Sequence, residues 1–447
     1  MKKTFSRRSF LKQAALAGAA PLILPRLSFA QPLNSKLQHA GIGVAAQGAH
    51  DLGNIASHEM VEVVALCDID EVNLTRAAER YPNARLYRDW REMLAQEEGK
   101  IDSVNVSTPD HTHAPASYSA IKQGLHVFCE KPLTHEVYEA RKVTEAARKA
   151  GVVTQMGNQI HSHIFYRTAV QWIQEGAIGK VKEWHSWVGP GAIFTTADKK
   201  RPAGSDPIPE HIDWDLWCGS GPAIPYKAEE YHPFWWRRYR DFGGGAVGDF
   251  GCHIFDPIYS ALGITNPLVV SAHAESYSDE VHPAWTVANY LFPGTPMTAY
   301  DTICATWRDG GLKPDNLLSP HLAEDYELPP SGSMVVGEEG TLVIPHVGMP
   351  QLHPVASFET YPVPEMEERS HYHEFVDACL GKEGVVCGSN FDFAGPMAEA
   401  VLLANIANRL PGQALEWNAK RCKFSNNRDA NALLRRKYRD GFEVRGL

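Results

Sequence analysis

The chain lacks an excess of positive charge, a regular cysteine spacing and an apolar run long enough to cross a membrane. Its 447 residues carry a formal charge of −10 at pH 7, so nucleic acid is not expected as a partner, because phosphate backbones are bound by lysine and arginine. The eight cysteines are irregularly spaced, which predicts free thiols instead of a disulfide framework. No internal repeat or low-complexity segment is present, and the length predicts two globular domains.

The first 30 residues have the parts of a twin-arginine export leader. The pair Arg7-Arg8 lies in a positively charged segment, residues 14–24 are largely apolar, and Ser28-Phe29-Ala30 forms a small-residue cleavage site. The apolar segment is shorter than the roughly 20 residues that span a bilayer. We therefore predict a cleaved signal peptide over residues 1–30, with an uncleaved anchor as the alternative. The mature protein is expected in the periplasm, or otherwise exported by the twin-arginine machinery, without a membrane span.

Residues 36–157 alternate short apolar runs with amphipathic stretches, which predicts a doubly wound α/β Rossmann domain on a parallel sheet. The predicted strands are 39–44, 61–67, 84–87, 103–107, 126–129 and 152–156. The most regular helix is predicted over 135–150, with Thr134 as its N-cap and Gly151 at its end. Six strands in this order fit a dinucleotide-binding fold.

Residues 158–447 predict a second, α+β domain with a mostly antiparallel sheet that binds the substrate. A helix at 166–175 precedes a region rich in Pro, Gly and Trp that extends to residue 250. The predicted strands are 181–188, 268–274, 287–291, 297–300 and 341–344. A helix at 397–410 and the C-terminal segment after it are expected to pack back on the body.

A glycine-rich turn follows the first predicted strand. Gly43, Ala45 and Gly48 occupy the three glycine positions of a dinucleotide-binding turn, where backbone N–H groups approach a pyrophosphate. Asp68 ends the second strand, where an acid can bind the adenosine ribose and repel a 2′-phosphate, so NAD is favoured and NADP is left open. The alternatives are an ordinary glycine-rich turn and a solvated acid, since Asp70 lies beside Asp68.

Two further segments follow the fourth and fifth strands. Thr108, Pro109 and His113 come after the fourth, and Glu130 and Lys131 come after the fifth. Cofactors and substrates bind at the carboxyl ends of parallel strands. The two histidines of the first segment have a spacing that could hold a metal, but no third ligand is indicated nearby, so no metal is expected.

Glu130-Lys131-Pro132, the glycine turn and Thr108-Pro109 together resemble the Gfo/Idh/MocA family of sugar and inositol dehydrogenases. The resemblance implies that Lys131 reaches the nicotinamide and the substrate, and that Pro132 follows a cis peptide bond. It also places Asn158 and Gln159 at the cofactor and His161 at the substrate.

A second signature is the glycine run 243–245, followed by Asp249 and His253. It resembles the same family, and on a helix the two side chains share one face a turn apart, so they can converge on one substrate. Just before the run, Trp236 and Arg237 are candidates for stacking on a sugar and gripping its hydroxyls. Packing beneath the loops is the alternative for both.

These residues predict an oxidoreductase. Oxidation of a secondary alcohol transfers a hydride to the nicotinamide and removes the hydroxyl proton, for which His253 is the best candidate. Lys131 would stabilise the developing alkoxide and Asp249 would bind a neighbouring hydroxyl. The roles of Lys131 and His253 could be exchanged, because burial can lower the pKa of a lysine. The expected substrate is a sugar, sugar derivative or cyclitol, and a homo-oligomer is expected.

Export constrains the cofactor. Twin-arginine transport carries folded proteins, and nicotinamide nucleotides are obtainable only in the cytoplasm, so NAD is expected to travel tightly bound and to be recycled within the site. One alternative is an NAD-dependent glycosidase or lyase, in which transient oxidation acidifies the adjacent C–H. The family's glycosidase branch lacks the Glu-Lys-Pro retained here. The other alternative is a non-catalytic sugar-binding protein.

Overall fold

The computed structural model describes residues 36–447, and the predicted leader at residues 1–30 lies outside them. The first sheet has the strands β1 Leu37–Ile42, β2 Val61–Cys67, β3 Arg85–Tyr87, β4 Ser103–Val106, β5 His126–Glu130 and β6 Thr154–Gly157. They pair in parallel in the order β3-β2-β1-β4-β5-β6. This is the order of a doubly wound dinucleotide-binding sheet, and the predicted Rossmann fold is confirmed.

Helices connect these strands: α1 Gln47–Ala56, α2 Glu71–Arg80, α3 Trp90–Gln96, α4 Asp110–Lys122 and α5 Val137–Ala150. The predicted end of α5 is correct, since Gly151 adopts the left-handed conformation with φ +68°. The predicted N-cap Thr134 is wrong. Glu136 caps the helix instead, in a capping box with Glu139, because the helix starts at Val137 and not at His135.

The second sheet has nine strands in the order β13-β12-β11-β7-β10-β9-β8-β14-β15. They are β7 Val181–Trp187, β8 Val269–Ala274, β9 Thr286–Pro293, β10 Thr302–Arg308, β11 Gly332–Gly337, β12 Thr341–Pro345, β13 Gln351–His353, β14 Leu415–Asn418 and β15 Lys423–Phe424. Only β7 and β10 pair in parallel among the described strands of this sheet, so the predicted, mostly antiparallel sheet is confirmed.

The strand predicted at 297–300 is reduced to a single bridge, in which Thr298 pairs in parallel with Val181 of β7. A turn precedes the bridge, because Thr298 Oγ1 accepts a hydrogen bond from Thr295 N (2.8 Å) and donates one to Thr295 O (2.9 Å). The ladder resumes in β10, which starts two residues beyond the predicted strand.

The remaining helices are α6 Ile164–Gln174, α7 Trp214–Cys218, α8 Gly245–Leu262, α9 Val355–Phe358, α10 His371–Cys379, α11 Phe391–Ala407 and α12 Arg428–Ala432. α11 is buried along most of its length and packs against α5 of the first domain and α8 of the second. It starts six residues before the predicted helix at 397–410. The C-terminal segment contacts the first domain, where Tyr438 Oη donates to Glu139 Oε1 at 2.6 Å.

All eight cysteines are free, as predicted, and Cys67 and Cys129 are buried. Within residues 36–447, no helix has both the length and the apolar character needed to span a membrane.

Candidate active site

The turn between β1 and α1 needs glycine at two of the predicted positions. Gly43 has φ +79°, and a Cβ there would lie 2.5 Å from the carbonyl oxygen of Ser107. A Cβ at Gly48 would lie 2.1 Å from the carbonyl oxygen of Gly43. The strand and the helix thus approach closely, and the first turn of α1 presents its N–H groups at the carboxyl edge, where a pyrophosphate binds. Ala45, at the middle glycine position, is half-buried.

Ala46 precedes α1 with φ +46° and ψ −115°, a region that L-residues avoid. We expect Ala46→Gly to raise the free energy of unfolding by about 1 kcal/mol, because relief of backbone strain outweighs the greater freedom of glycine in the unfolded chain. Urea unfolding measures the change. Ala45→Gly is the matched control and should lose stability, since Ala45 does not have a positive φ. If A46G is no more stable than the wild type, the inference that the backbone at Ala46 is strained is wrong.

Asp68 ties the glycine turn to the end of β2. Its Oδ2 accepts a hydrogen bond from Val44 N (3.0 Å), and its Oδ1 accepts one from Asp70 N (3.0 Å). Burial raises the pKa of Asp68. The carboxyl group is therefore fixed beside the turn, at the strand end from which an acid reaches the ribose hydroxyls of NAD.

The segment after β4 is held from behind by histidines. Pro109 precedes α4, and His113 Nε2 lies 2.8 Å from the carbonyl oxygen of Thr108. His113 is buried, and burial lowers its pKa to about 3, so the ring is neutral and supports the Thr108-Pro109 turn from within. His111 is also buried and bonds through Nε2 to Trp217 O at 2.8 Å. In residues 36–447, no three His, Cys, Asp or Glu side chains are grouped to hold a metal ion.

Lys131, Asp249 and Arg237 meet where the carboxyl end of β5 faces the start of α8. Lys131 Nζ donates to Asp249 Oδ1 and, at 3.1 Å, to the Asp249 carbonyl oxygen. Arg237 Nε donates to the same Oδ1 at 2.9 Å. Burial acts to raise the pKa of Asp249, but the charges of Lys131 and Arg237 outweigh it and hold the pKa well below its ordinary value. Asp249 is thus a permanent anion that positions two cations, and it is unsuited to accept a proton.

The glycine run before α8 is closely packed. Gly245 has φ +62°, and a Cβ there would lie 2.6 Å from the ring of His282. His282 Nε2 donates to the carbonyl oxygen of Gly243 at 2.8 Å. The run therefore fixes the start of α8, and with it Asp249.

His253 lies one turn after Asp249 on α8. Its Nδ1 is buried and has no hydrogen-bond partner among the described residues. Burial and then the charge of Lys131 lower the pKa of His253 well below its ordinary value, so the imidazole is neutral at pH 7. The ring of His346 lies 5.6 Å away, between centroids, and is held through Nδ1 by the hydroxyl of Tyr166 (3.1 Å). A neutral ring with an unpaired nitrogen can bind and deprotonate a hydroxyl.

Asp110 is a functional candidate that the sequence reasoning missed. It is buried at the start of α4, and its Oδ2 accepts a hydrogen bond from Gly244 N at 2.9 Å. Burial raises its pKa to about 7, although the charges of Arg237 and Lys131 act in the opposite direction. Asp110 follows Thr108-Pro109 directly, so its place in a strand-end segment was the signal that could have identified it.

The raised pKa of Asp110 predicts a pH-dependent effect of Asp110→Asn. A carboxyl with a pKa of about 7 in the folded protein and about 4 in the unfolded chain loses its stabilising contribution as the pH rises between these values. Asn keeps an acceptor for Gly244 N and cannot ionise. We expect the stability of D110N relative to the wild type to increase from pH 5 to pH 7 and then to level off, as measured by urea unfolding. A difference that is constant over this range would contradict the shift.

The residues after β6 hold other acids in place. Asn158 Nδ2 and His161 Nδ1 both bond to Asp256, which lies one turn beyond His253 on α8, the latter at 2.9 Å. Burial acts to lower the pKa of His161, but the charge and hydrogen bond of Asp256 outweigh it, so the pKa is raised. Gln159 Nε2 donates to Glu130 Oε1 at 2.7 Å.

Glu130 is buried behind Lys131. Its Oε2 accepts a hydrogen bond from the backbone N of Lys131 at 3.2 Å. Burial, and then the charge of the nearby Asp51, raise the pKa of Glu130 well above its ordinary value. The predicted cofactor ligand is therefore a buried carboxyl that fixes the turn carrying Lys131, whose peptide bond to Pro132 is cis, as expected.

Trp236 does not present a free face to a sugar. It is buried, and the guanidinium carbon of Arg237 lies 4.1 Å from the centroid of its ring. The ring face that was expected to stack on a sugar is instead covered by Arg237, which packs on Trp236 and also binds Asp249. The two aromatic side chains that precede Trp236 are exposed, Phe234 by 49% and Trp235 by 37%. The Phe234 centroid lies 5.4 Å from the same guanidinium carbon, so this ring flanks the cluster.

Comparison with known families identifies both domains. Residues 38–158 match the Gfo/Idh/MocA model described as an oxidoreductase family with an NAD-binding Rossmann fold. Residues 165–296 match the model of that oxidoreductase family's C-terminal alpha/beta domain. The chain belongs to the Gfo/Idh/MocA family.

Curated relatives of this family member match over part of their length. Levoglucosan dehydrogenase of Pseudarthrobacter phenanthrenivorans is 25% identical over 40% of this chain and 37% of its own. D-glucoside 3-dehydrogenase of Escherichia coli is 26% identical over 53% and 56%. A glycosyl hydrolase family 109 protein of Stenotrophomonas maltophilia is 27% identical over 44% and 46%. The chain thus spans between about a third and just over half of the length of these three relatives.

Solved structures share the fold of this Gfo/Idh/MocA protein over most of the chain. The WlbA dehydrogenase of Bordetella pertussis, in complex with NADH and UDP-GlcNAcA, has a TM-score of 0.58 at 17% identity and covers 86% of this chain and 99% of its own. The aldose-aldose oxidoreductase of Caulobacter crescentus has a TM-score of 0.55 at 17% identity, with 86% and 100% covered.

Proposed function

We propose that this protein is an exported, NAD-dependent oxidoreductase that acts on a hydroxyl group of a sugar, sugar derivative or cyclitol. One observation carries the proposal: Lys131, paired with Asp249, lies beside a neutral His253 with an unpaired nitrogen. The three residues meet at the carboxyl edge of a sheet whose glycine turn suits a dinucleotide. Sugar-related names among the relatives support the substrate class.

The residues of the first domain fit NAD. The turn at Gly43 and Gly48 approaches the neighbouring backbone so closely that a Cβ would not fit, as expected where a backbone turn and a helix N-terminus meet a pyrophosphate. Asp68 stands at the strand end where it would bind the ribose and disfavour NADP. Bound NAD would supply the hydride acceptor. A structural neighbour in complex with NADH supports this choice of nucleotide.

The second domain supplies the groups for proton removal. The imidazole of His253 would accept the proton of the substrate hydroxyl, because the half-buried ring is neutral at pH 7. Lys131 would donate a hydrogen bond to the same oxygen as negative charge develops there. Asp249 and Arg237 would hold Lys131 in position through the shared carboxylate.

The predicted leader adds a condition. An enzyme exported in the folded state has no nicotinamide pool to exchange with, so NAD would remain tightly bound and return to its oxidised state in each cycle. A second sugar or carbonyl compound would then take up the hydride. The twin-arginine motif at Arg7-Arg8 supports this part of the proposal.

A panel of free sugars, cyclitols and glycosides tests the proposal. The purified protein, without added NAD, is given pairs of compounds, and chromatography follows the products. Oxidation of one compound with reduction of another supports the proposed function. Cleavage of a glycoside without net redox change would favour a lyase or glycosidase, an activity class that the family 109 relative brings into consideration. Binding without any product would indicate a sugar-binding protein.

A further inference from the structure

Residues 206–242 of the second domain form a segment with its own small core. The segment contains α7 and a set of buried, mainly aromatic side chains that pack on one another. They are Ile212, Trp214, Trp217, Cys218, Ile224, Tyr226, Tyr231, Trp236, Tyr239 and Phe242, and Val281 from outside the segment packs with them. The partly buried Ile69, which follows β2 in the first domain, packs against this core. The segment, which we call the aromatic segment, therefore lies against the end of β2 next to Asp68.

Several hydrogen bonds tie the aromatic segment to the turn after β2. The carboxylate of Asp70 accepts hydrogen bonds from two imidazoles of the segment, from His211 Nδ1 at 2.9 Å and from His232 Nε2 at 3.2 Å. The backbone pairs as well, since Glu71 N donates to His211 O at 2.9 Å and Asp213 N donates to Ile69 O at 3.0 Å. The side chain of Asp70 is almost fully buried. A buried carboxylate with two imidazole partners is a firm attachment.

The same segment is tied to the turn after β4. His111, in the first turn of α4, bonds through Nε2 to Trp217 O at 2.8 Å, and its backbone N donates to Phe242 O at 3.3 Å. The aromatic segment thus joins the strand-end turn that carries Asp68 to the one that carries Thr108 and Pro109. In doubly wound folds, the acid after the second strand binds the adenosine ribose, and the dinucleotide lies in the crevice at the carboxyl ends of the strands.

We propose that the aromatic segment closes the adenosine end of the nucleotide site and retards the release of NAD, and that Asp70 is the positioning residue that holds the segment closed. The inference rests on the proposed function, because it takes NAD as the ligand. Release of the adenosine half requires the two strand-end turns to part from the segment that bridges them. Retention of this kind is what a nucleotide enzyme needs once it has left the cytoplasm.

The rate of nucleotide release tests the inference without any need for turnover. The full-length protein is loaded with labelled NAD, excess unlabelled NAD is added, and the label that stays on the protein is followed over time. The variant Asp70→Asn keeps the N-cap bond to Val72 N, because Asn caps helices as well as Asp does. It removes the charge that holds both imidazoles, and we expect release about tenfold faster. The matched control is Asp206→Asn, which removes an ion pair with Lys227 inside the same segment.

A second variant covers the case in which D70N does not fold. His211→Ala truncates a side chain that is 41% exposed, so it leaves little cavity, and it should also accelerate release. If both act through one contact, the double variant should release NAD no faster than D70N. Release at the wild-type rate from D70N and H211A, with NAD still bound, would overturn the inference and leave the proposed function intact. A wild-type protein that binds no NAD would instead remove the proposed function.

Discussion

Replacing His253 with Ala is expected to lower kcat by a factor of about 10²–10⁴ and to leave substrate affinity nearly unchanged. The imidazole is neutral and half-buried, so we propose it as the group that takes the hydroxyl proton. Its removal deletes the proposed proton acceptor and leaves Lys131 in place to donate a hydrogen bond to the substrate oxygen. Steady-state kinetics on a substrate from the panel, together with a separate binding measurement, separate the two effects.

The neighbouring His346 provides the control for this prediction. Its ring is close to that of His253, but its Nδ1 is engaged by Tyr166. His346→Ala should therefore lower kcat by less than tenfold, since the loss of one neighbouring ring changes packing and not proton transfer. A full loss of activity in H346A, with little loss in H253A, would show that the proton acceptor is His346 and not His253.

Replacing Lys131 with Met is expected to lower kcat by a factor of about 10²–10³, because the developing negative charge on the substrate oxygen loses its donor. The substitution keeps most of the apolar side chain and removes the ammonium group. Arg237 still pairs with Asp249 at 2.9 Å, so the buried carboxylate keeps one cation and the fold should persist. Lys382→Met, which removes an exposed ion pair with Asp377, is the control and should leave kcat unchanged.

The same variant has a second expected effect that a purely structural role for Lys131 would not produce. The charge of Lys131 is the second cause, after burial, of the low pKa of His253. In K131M, the pKa of His253 should rise towards its ordinary value, which an NMR titration of the ring protons measures. An unchanged histidine titration would show that the two side chains are not electrostatically coupled.

The parts of the fold that follow from local pattern were predictable. The order of strands in the first sheet follows from alternating apolar and amphipathic stretches, and the glycine turn follows from the need for close approach at Gly43 and Gly48. The pairing of Lys131 with Asp249 joins positions 118 residues apart. The family motifs placed both residues at one substrate site, but they did not predict that the two side chains pair with each other.

The parts that depend on contacts between distant segments were not predictable. The segment at 297–300 has a strand-like composition, yet it forms only a single bridge after a turn that the hydroxyl of Thr298 closes. The sequence indicated that Trp236 could stack on a sugar, but in the structure Arg237 covers a face of its ring. The role of Asp110 depends on Gly244, which is 134 residues away, and on two buried cations. Such environments exist only after the chain has folded.

The aromatic segment shows the same limit. Its tryptophans and histidines are evident in the sequence, but nothing in their spacing indicates that His211 and His232 would converge on Asp70. The sequence placed Asp70 beside the predicted ribose ligand only as a neighbouring acid. The structure gives it two partners from the second domain, and the retention of NAD proposed above depends on that convergence.

The nucleotide content of the purified protein tests the central claim most directly. The protein is expressed with its leader, recovered from the periplasm, washed free of small molecules and denatured, and the released nucleotide is identified and counted by mass spectrometry. We expect close to one NAD or NADH per chain, and its conversion between the two forms when a sugar substrate is added before denaturation. A folded, exported protein that releases no nicotinamide nucleotide would show that NAD does not leave the cytoplasm with this enzyme.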